Sequence, residues 1–260
     1  MSGLFSRLAA WRGRVAHTAT APEEPVGPAA SSESLPPPCA ATAADDCDGA
    51  GAVLFERFGL RRSRSERRPV AADGTPLPWY TYPAIEFLDG LDWRDKRVFE
   101  YGAGHSSYFW AARAAEVVTV EQEPDWYAEI AGTTPGNLML INETSAERFP
   151  HVIGEHGLFD VIVDDASQRL ECARACLASL RPGGLIILDN SDWFVAAARF
   201  LREQGFLQVD MHGFGPINNY TWCTSLFFSR DFTWTPRHAH QPMHGIGALR
   251  QYAAEEDGLR

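Results

Sequence analysis

The chain has 260 residues, 45% hydrophobic and 12% aromatic, and a formal charge of −11. That length can bury a sizeable core, and the acidic balance argues against a general nucleic-acid binder, because phosphate contacts need a basic surface. No apolar run approaches the ~18 residues of a membrane span and no secretory apolar region follows the start; with five irregularly spaced cysteines, a reducing, cytoplasmic setting is expected.

In chain order, Leu4, Leu8, Trp11 and Val15 recur on one helical face, with Arg7, Arg12 and Arg14 elsewhere. Residues 1–17 therefore suit a membrane surface, a protein partner or a targeting segment, the plain alternative being a frayed terminus. A stretch rich in Ala, Pro, Ser and acids, with Pro36, Pro37 and Pro38 at its centre, follows to residue 52 and is expected to be a disordered linker. Residues 53–92 form a second unit. It carries Arg57, Arg61, Arg62, Arg64, Arg67 and Arg68, a solvated face or a gate for an anionic group, and then the proline- and aromatic-rich run from Asp73 to Pro83.

From residue 93 to 235, short apolar runs alternate with helical stripes. The expected strands are Arg97 to Tyr101, Val117 to Val120, Leu138 to Ile141, Phe159 to Val163 and Leu185 to Leu188, each read as buried on both faces. A helical stripe from Leu170 to Leu180 separates the last two, with Cys172 and Cys176 one turn apart as packing or exposed thiols rather than a disulfide framework, and a further helix follows Ser191. Leu207 to Met211 and Thr224 to Ser229 then close the sheet as a hairpin. The fold class is α/β: a Rossmann-like, doubly wound, mostly parallel sheet of seven strands with a C-terminal antiparallel hairpin. Residues 236–260 read as a polar tail, in which His238, His240 and His244 are solvated.

The first strand runs into Glu100-Tyr101-Gly102-Ala103-Gly104-His105-Ser106-Ser107, and the second ends in Glu121. Gly102 and Gly104 let backbone approach a ligand, the following helix turns its free N–H groups to the same space, and Glu121 suits the two hydroxyls of a ribose. A dinucleotide fingerprint asks for a third glycine where Ser107 stands, and no Arg or Lys lies in the turn to meet a diphosphate. Glu100 repels a pyrophosphate and suits a cationic group instead.

At these residues the chain resembles the class I S-adenosylmethionine-dependent methyltransferases, whose first motif reads Glu-x-Gly-x-Gly and whose second strand ends in an acid. The resemblance spans roughly Trp93 to Phe232. It implies an S-adenosylmethionine site made of Glu100, Gly102, Ala103, Gly104, Glu121, Gln122, Asp164 and Tyr82, with Trp79, Tyr80, Thr81 and Tyr82 either lid residues over it or aromatics packed on the sheet edge. It also implies methyl transfer to a small-molecule acceptor, a hydroxyl on a sugar-like metabolite by family habit. The closing hairpin separates this family from ordinary dinucleotide folds. A non-catalytic nucleotide-binding or scaffold module is the competing class, and an NAD-dependent oxidoreductase a third.

Catalytic groups are expected where the strands end in their carboxyl termini. Asp164, Asp165, His105 and Tyr220 are the candidate bases, histidine having its ordinary pKa nearest neutrality. Asp164, Asp189 and Asn190 form an oxygen-rich set suited to Mg²⁺. The metal-dependent catechol and caffeoyl-coenzyme-A O-methyltransferases are similar there, with an Asp-Asn pair followed closely by tryptophan, as in Asp189, Asn190 and Trp193. The run Asp164-Asp165-Ala166-Ser167 and the loop from Gly213 to Trp222 depart from that pattern, and both the metal-dependent and the metal-free reading stay open.

Overall fold

The computed structural model describes residues 49–132 and 134–249. The predicted amphipathic stripe, most of the linker, Cys39, Cys47 and residues 250–260 lie outside the described residues.

A short π-helical turn (Val53–Arg57) leads into helix α1 (Leu60–Glu66). Gly59, which starts α1, has φ +81° and sits so close to the following loop that a Cβ would stand 2.4 Å from the Ala72 nitrogen. Glycine alone suits that corner. The aromatic run then enters helix α2 (Tyr82–Asp89), with Pro83 in its first turn, where a missing N–H costs nothing.

The core follows as β1 (Arg97–Tyr101), α3 (His105–Ala111), β2 (Glu116–Glu121), α4 (Pro124–Ala131) and β3 (Leu138–Asn142). A 3₁₀ segment (Phe149–Glu155), β4 (Phe159–Asp164), α5 (Arg169–Cys176), β5 (Leu180–Asp189), α6 (Val195–Glu203), β6 (Leu207–Gly213) and β7 (Trp222–Phe228) complete it. The seven strands form one sheet in the order β3-β2-β1-β4-β5-β7-β6. The first five are parallel, and β7 runs antiparallel to both β5 and β6. The expected fold class is therefore what the chain adopts.

Two details differ from the sequence expectation. Strand β5 begins at Leu180 rather than Leu185, because Leu180 already pairs with Phe159 before a register shift lets Leu185 meet Val161. Helix α6 starts only at Val195, since the Asn190 carbonyl first accepts the Trp193 and Phe194 N–H groups in a turn.

The pleat sorts the strand residues between two cores. Val98, Val117, Val161, Val163, Leu185, Ile187 and Leu226 face α2 and α3, packing on Leu88, Phe109 and Trp110. Phe99, Tyr101, Val118, Ile162, Ile186, Leu188 and Phe227 face the other way, onto Phe149, Cys172 and Leu201. Each such fully buried side chain contributes about 1.5–3 kcal/mol. Both faces being covered explains why the strands read as unbroken apolar runs. At the amino edge Arg97 ties β1 to its neighbours, donating to Glu116 at 2.9 Å and to the Leu158 carbonyl at 2.7 Å. The acids gather at the carboxyl edge.

Candidate functional site at the carboxyl edge

Strand parity decides which acids meet. Glu100 follows Val98 and Asp189 follows Ile187, so both carboxyls point to the α2–α3 face, whereas Asp164 follows Ile162 and points to the α5 face.

Glu100 is fully buried. One carboxyl oxygen, Oε2, accepts from Ser107 of α3 and, at 3.0 Å, from Thr119 of β2. The other, Oε1, is buried and has no hydrogen-bond partner. Burial pushes this carboxyl up to about 7, against the hydroxyls of Ser106, Ser107 and Thr119 that favour its charged form. Ser107, which takes the place of a dinucleotide fingerprint's third glycine, thus has a positive role here: its hydroxyl also accepts the Gly104 N–H at 3.1 Å.

The glycine turn is held from two sides. Gly102 has φ +91°, and a Cβ there would lie 2.7 Å from the Asp165 carbonyl oxygen, so the neighbouring strand end demands this glycine irrespective of any ligand. Gly104 is extended, and a Cβ on it would meet only the Ser106 hydroxyl, at 3.7 Å. The Ala103 N–H donates to Glu121 Oε2 at 2.9 Å, and the Trp126 indole donates to the Ala103 carbonyl at 2.7 Å. Glu121 is buried at the end of β2, and its Oε1 accepts from the backbone N–H groups of Gln122 and Glu123, at 2.9 and 2.8 Å. The carboxylate expected to bind a ribose therefore also fixes the turn and its own loop. Gln122 lies beside it, half-buried.

Asp189 Oδ1 accepts from Thr224 Oγ1 at 2.6 Å and from the Trp222 indole at 3.0 Å, and burial raises its pKa. Thr224 in turn accepts the Thr81 N–H at 3.0 Å, while Thr81 Oγ1 donates to the Met211 carbonyl at 2.8 Å. The Tyr82 N–H donates to the Phe214 carbonyl at 2.7 Å. Tyr80, Thr81 and Tyr82 are all buried. This segment is thus stitched into the β6–β7 hairpin as part of the core, and within it the Trp79 indole N–H and the Tyr82 hydroxyl are buried without hydrogen-bond partners. Arg64 of the basic cluster donates to the Ile217 and Asn218 carbonyls, at 3.1 Å each, so one of its arginines clamps the loop between β6 and β7. Arg61 and Arg62 pair with Glu56 and Glu66.

The expected Mg²⁺ set is not assembled. Asp164 is fully buried beneath α5, both its oxygens lack partners, and desolvation raises its pKa well above the usual range. Asp189 is turned to Trp222 and Thr224 on the opposite face. The acid that meets Asn190 is Asp165, through Arg169: Nη2 donates to Asp165 Oδ1 at 2.6 Å and to Asn190 Oδ1 at 2.9 Å. Nε donates to the Asp189 carbonyl at 2.9 Å and Nη1 to the Ala166 carbonyl. Among the described residues no three His, Cys, Asp or Glu side chains converge as metal ligands. Sequence periodicity gave no hint of Arg169, whose partners lie on two different strand ends.

Of the candidate bases, Asp165 keeps about a quarter of its side chain exposed, at 26%, and Tyr220 stands exposed near Trp193, with ring centroids 6.3 Å apart. His105 begins α3, but its Nδ1 lies 2.9 Å from the Pro69 carbonyl, and burial lowers its pKa. Asp164 is sealed off from the edge by its burial.

No family model matches the chain, and no curated protein matches it. Solved structures do. A caffeoyl-CoA O-methyltransferase assigned in Staphylococcus aureus shares 16% identity at a TM-score of 0.47, over 71% of this chain and 100% of that one. The precorrin-6Y C5,15-methyltransferase of Geobacter metallireducens shares 14% at 0.45, over 56% and 86%. The fibrillarin pre-rRNA processing protein of Methanococcus jannaschii shares 17% at 0.42, over 56% and 74%. The strand order and the antiparallel closure make this chain a Rossmann-like α/β fold, a mostly parallel sheet closed by a hairpin.

Proposed function

We propose that the carboxyl edge binds S-adenosylmethionine and that the chain transfers its methyl group to a hydroxyl of a small, sugar-like acceptor. The observation that carries this reading is Glu100 Oε1, a buried carboxyl oxygen without a partner at the end of β1, directly before the glycine turn. A buried acceptor of this kind is costly until a donor meets it, and a cationic donor repays most. An ammonium fits that requirement, and a pyrophosphate does not.

When bound, the cofactor supplies a methyl group on a positively charged sulfur, open to displacement by an oxygen in line with the carbon–sulfur bond. The residues supply the rest. Glu100, steadied by Ser107 and Thr119, holds the ammonium end and gives up its proton as the cation arrives. Glu121 keeps the Gly102–Gly104 turn in shape and, at the end of β2, faces the ribose. Asp165, partly exposed and oriented by Arg169, accepts the acceptor hydroxyl's proton. The stitched cap of Tyr80 to Tyr82 excludes water from this edge.

One observation favours a second reading. Tyr80, Glu100 and Asp189 are closed to solvent, as a nucleotide-binding module without turnover would have them. Calorimetry of the full chain with S-adenosylmethionine, S-adenosylhomocysteine and NAD tests the binding claim. Binding of the first two and none of NAD is expected, and Gly104→Val should abolish it by filling the space beside the turn. NAD binding without S-adenosylhomocysteine binding overturns the reading, and binding without turnover of any hydroxyl acceptor selects the module.

A further inference from the structure

We propose that Arg169 is the resident cation of the strand-end acids, its guanidinium holding Asp165 and Asn190 in the space a divalent metal would need, so that this site works without one. Arg169 stands at the first position of α5 and is 7% exposed. A cation there faces the positive end of the helix dipole, an unfavourable placement that needs compensation. The compensation is extensive: the fork reaches Asp165 Oδ1, Asn190 Oδ1, the Asp189 carbonyl and the Ala166 carbonyl, and the Phe194 ring stacks on it with the guanidinium carbon 4.0 Å from the centroid.

These four oxygens come from both strand ends. A hard divalent cation in this space would draw on the same carboxylate, amide and carbonyl oxygens. The guanidinium already binds each of them, and its own positive charge repels a second cation. Arg169 is thereby a positioning residue. It sets the direction of the Asp165 carboxylate without itself reaching the reacting atoms. The proposal concerns the strand ends of β4 and β5 and does not depend on which nucleoside the glycine turn holds.

Mn²⁺ titration of the full-length protein, followed by electron paramagnetic resonance, tests it without reference to turnover. For the parent protein, no Mn²⁺ site dependent on Asp165 is expected below about 1 mM. Arg169→Ser, which frees the oxygens, should bind Mn²⁺ on the order of tenfold tighter, and Asp165→Asn added to it should remove the gain. Binding by the parent below that concentration, lost in Asp165→Asn alone, overturns the proposal. So does an Arg169→Ser protein with a native circular dichroism spectrum and no gain. If the serine variant fails to fold, Arg169→Gln removes the charge while keeping an amide donor, and the same gain is required of it.

Discussion

Gly215 lies against Tyr80 so closely that a Cβ on the glycine would stand 2.3 Å from the Tyr80 carbonyl oxygen and 2.4 Å from the Trp222 ring. The loop between β6 and β7 is thereby keyed to the cap segment, and through Trp222 to Asp189, whose Oδ1 accepts the Trp222 indole N–H. The contact joins residues from the two ends of the chain's core, and it sets how tightly the carboxyl edge is covered.

Gly215→Ala should force these backbones apart. Overpacking of this kind costs about 1–3 kcal/mol, so thermal unfolding should shift down, and proteolysis within residues 213–222 should become faster. An unchanged midpoint together with an unchanged cleavage pattern would show that the loop yields freely and does not clamp the cap.

Stability should rise as pH falls from about 7.5 to about 5.5. Glu100 is raised from its ordinary 4.5 to about 7, and Asp164 and Asp189 are raised by the same burial. A raised carboxyl binds its proton more readily in the folded chain. Its stabilising contribution is complete below the unfolded value and is lost as pH climbs through the folded one. His105 works in the opposite sense, since its lowered pKa gives stability present above 6.5 and lost as pH falls through its folded value. Asp92 and Glu116, lowered by Arg94 and Arg97, lose their contribution only at more acidic pH. Glu100→Gln should remove on the order of 2 kcal/mol of this dependence and weaken S-adenosylhomocysteine binding. Melting curves across that range that superimpose for parent and variant would sink the assignment.

Glu121→Ala strands the buried Ala103 N–H, which left unmet costs about 1–3 kcal/mol, and removes the acceptor of the less buried Gln122 and Glu123 N–H groups. A lower melting point is expected, with S-adenosylhomocysteine affinity reduced by about 1.5–3 kcal/mol, the worth of charge-assisted bonds. Loss of stability with affinity intact would make Glu121 a structural carboxylate alone.

The proton acceptor can be identified by a pH–rate profile. Asp165→Asn should remove an ionisation from kcat/KM, and His105→Ala should leave it, because the His105 ring is engaged by the Pro69 carbonyl. The reverse pattern would move the role to His105. Activity should also survive exhaustive chelation, since Arg169 holds the oxygens a metal would use.

Much of the fold was legible in order along the chain. Unbroken apolar runs such as Val117 to Val120 announce strands covered on both faces, and the glycine turn between Glu100 and Ser107 marks where a strand gives way to a helix. The antiparallel closure was legible too, because Leu207 to Met211 and Thr224 to Ser229 follow the last helix without a crossover between them.

What the chain's order by itself determined was the type and sequence of the elements, and that acids and glycines would gather at one sheet edge. Tertiary structure alone decided which of them meet. Asp164 and Asp165 are adjacent in sequence, yet the pleat sends Asp164 under α5 and leaves Asp165 to Arg169, and Asp189 is turned to Trp222 by the register of β5 on β7. Likewise the tryptophan, tyrosines and threonine before β1 read equally as a lid or as packing on the sheet edge, and only the fold gives Thr81 its partners Thr224 and Met211. Local periodicity reports which face of an element is apolar. It carries no record of partners more than a hundred residues away, and those partners fix where each carboxylate points and which cation it finds.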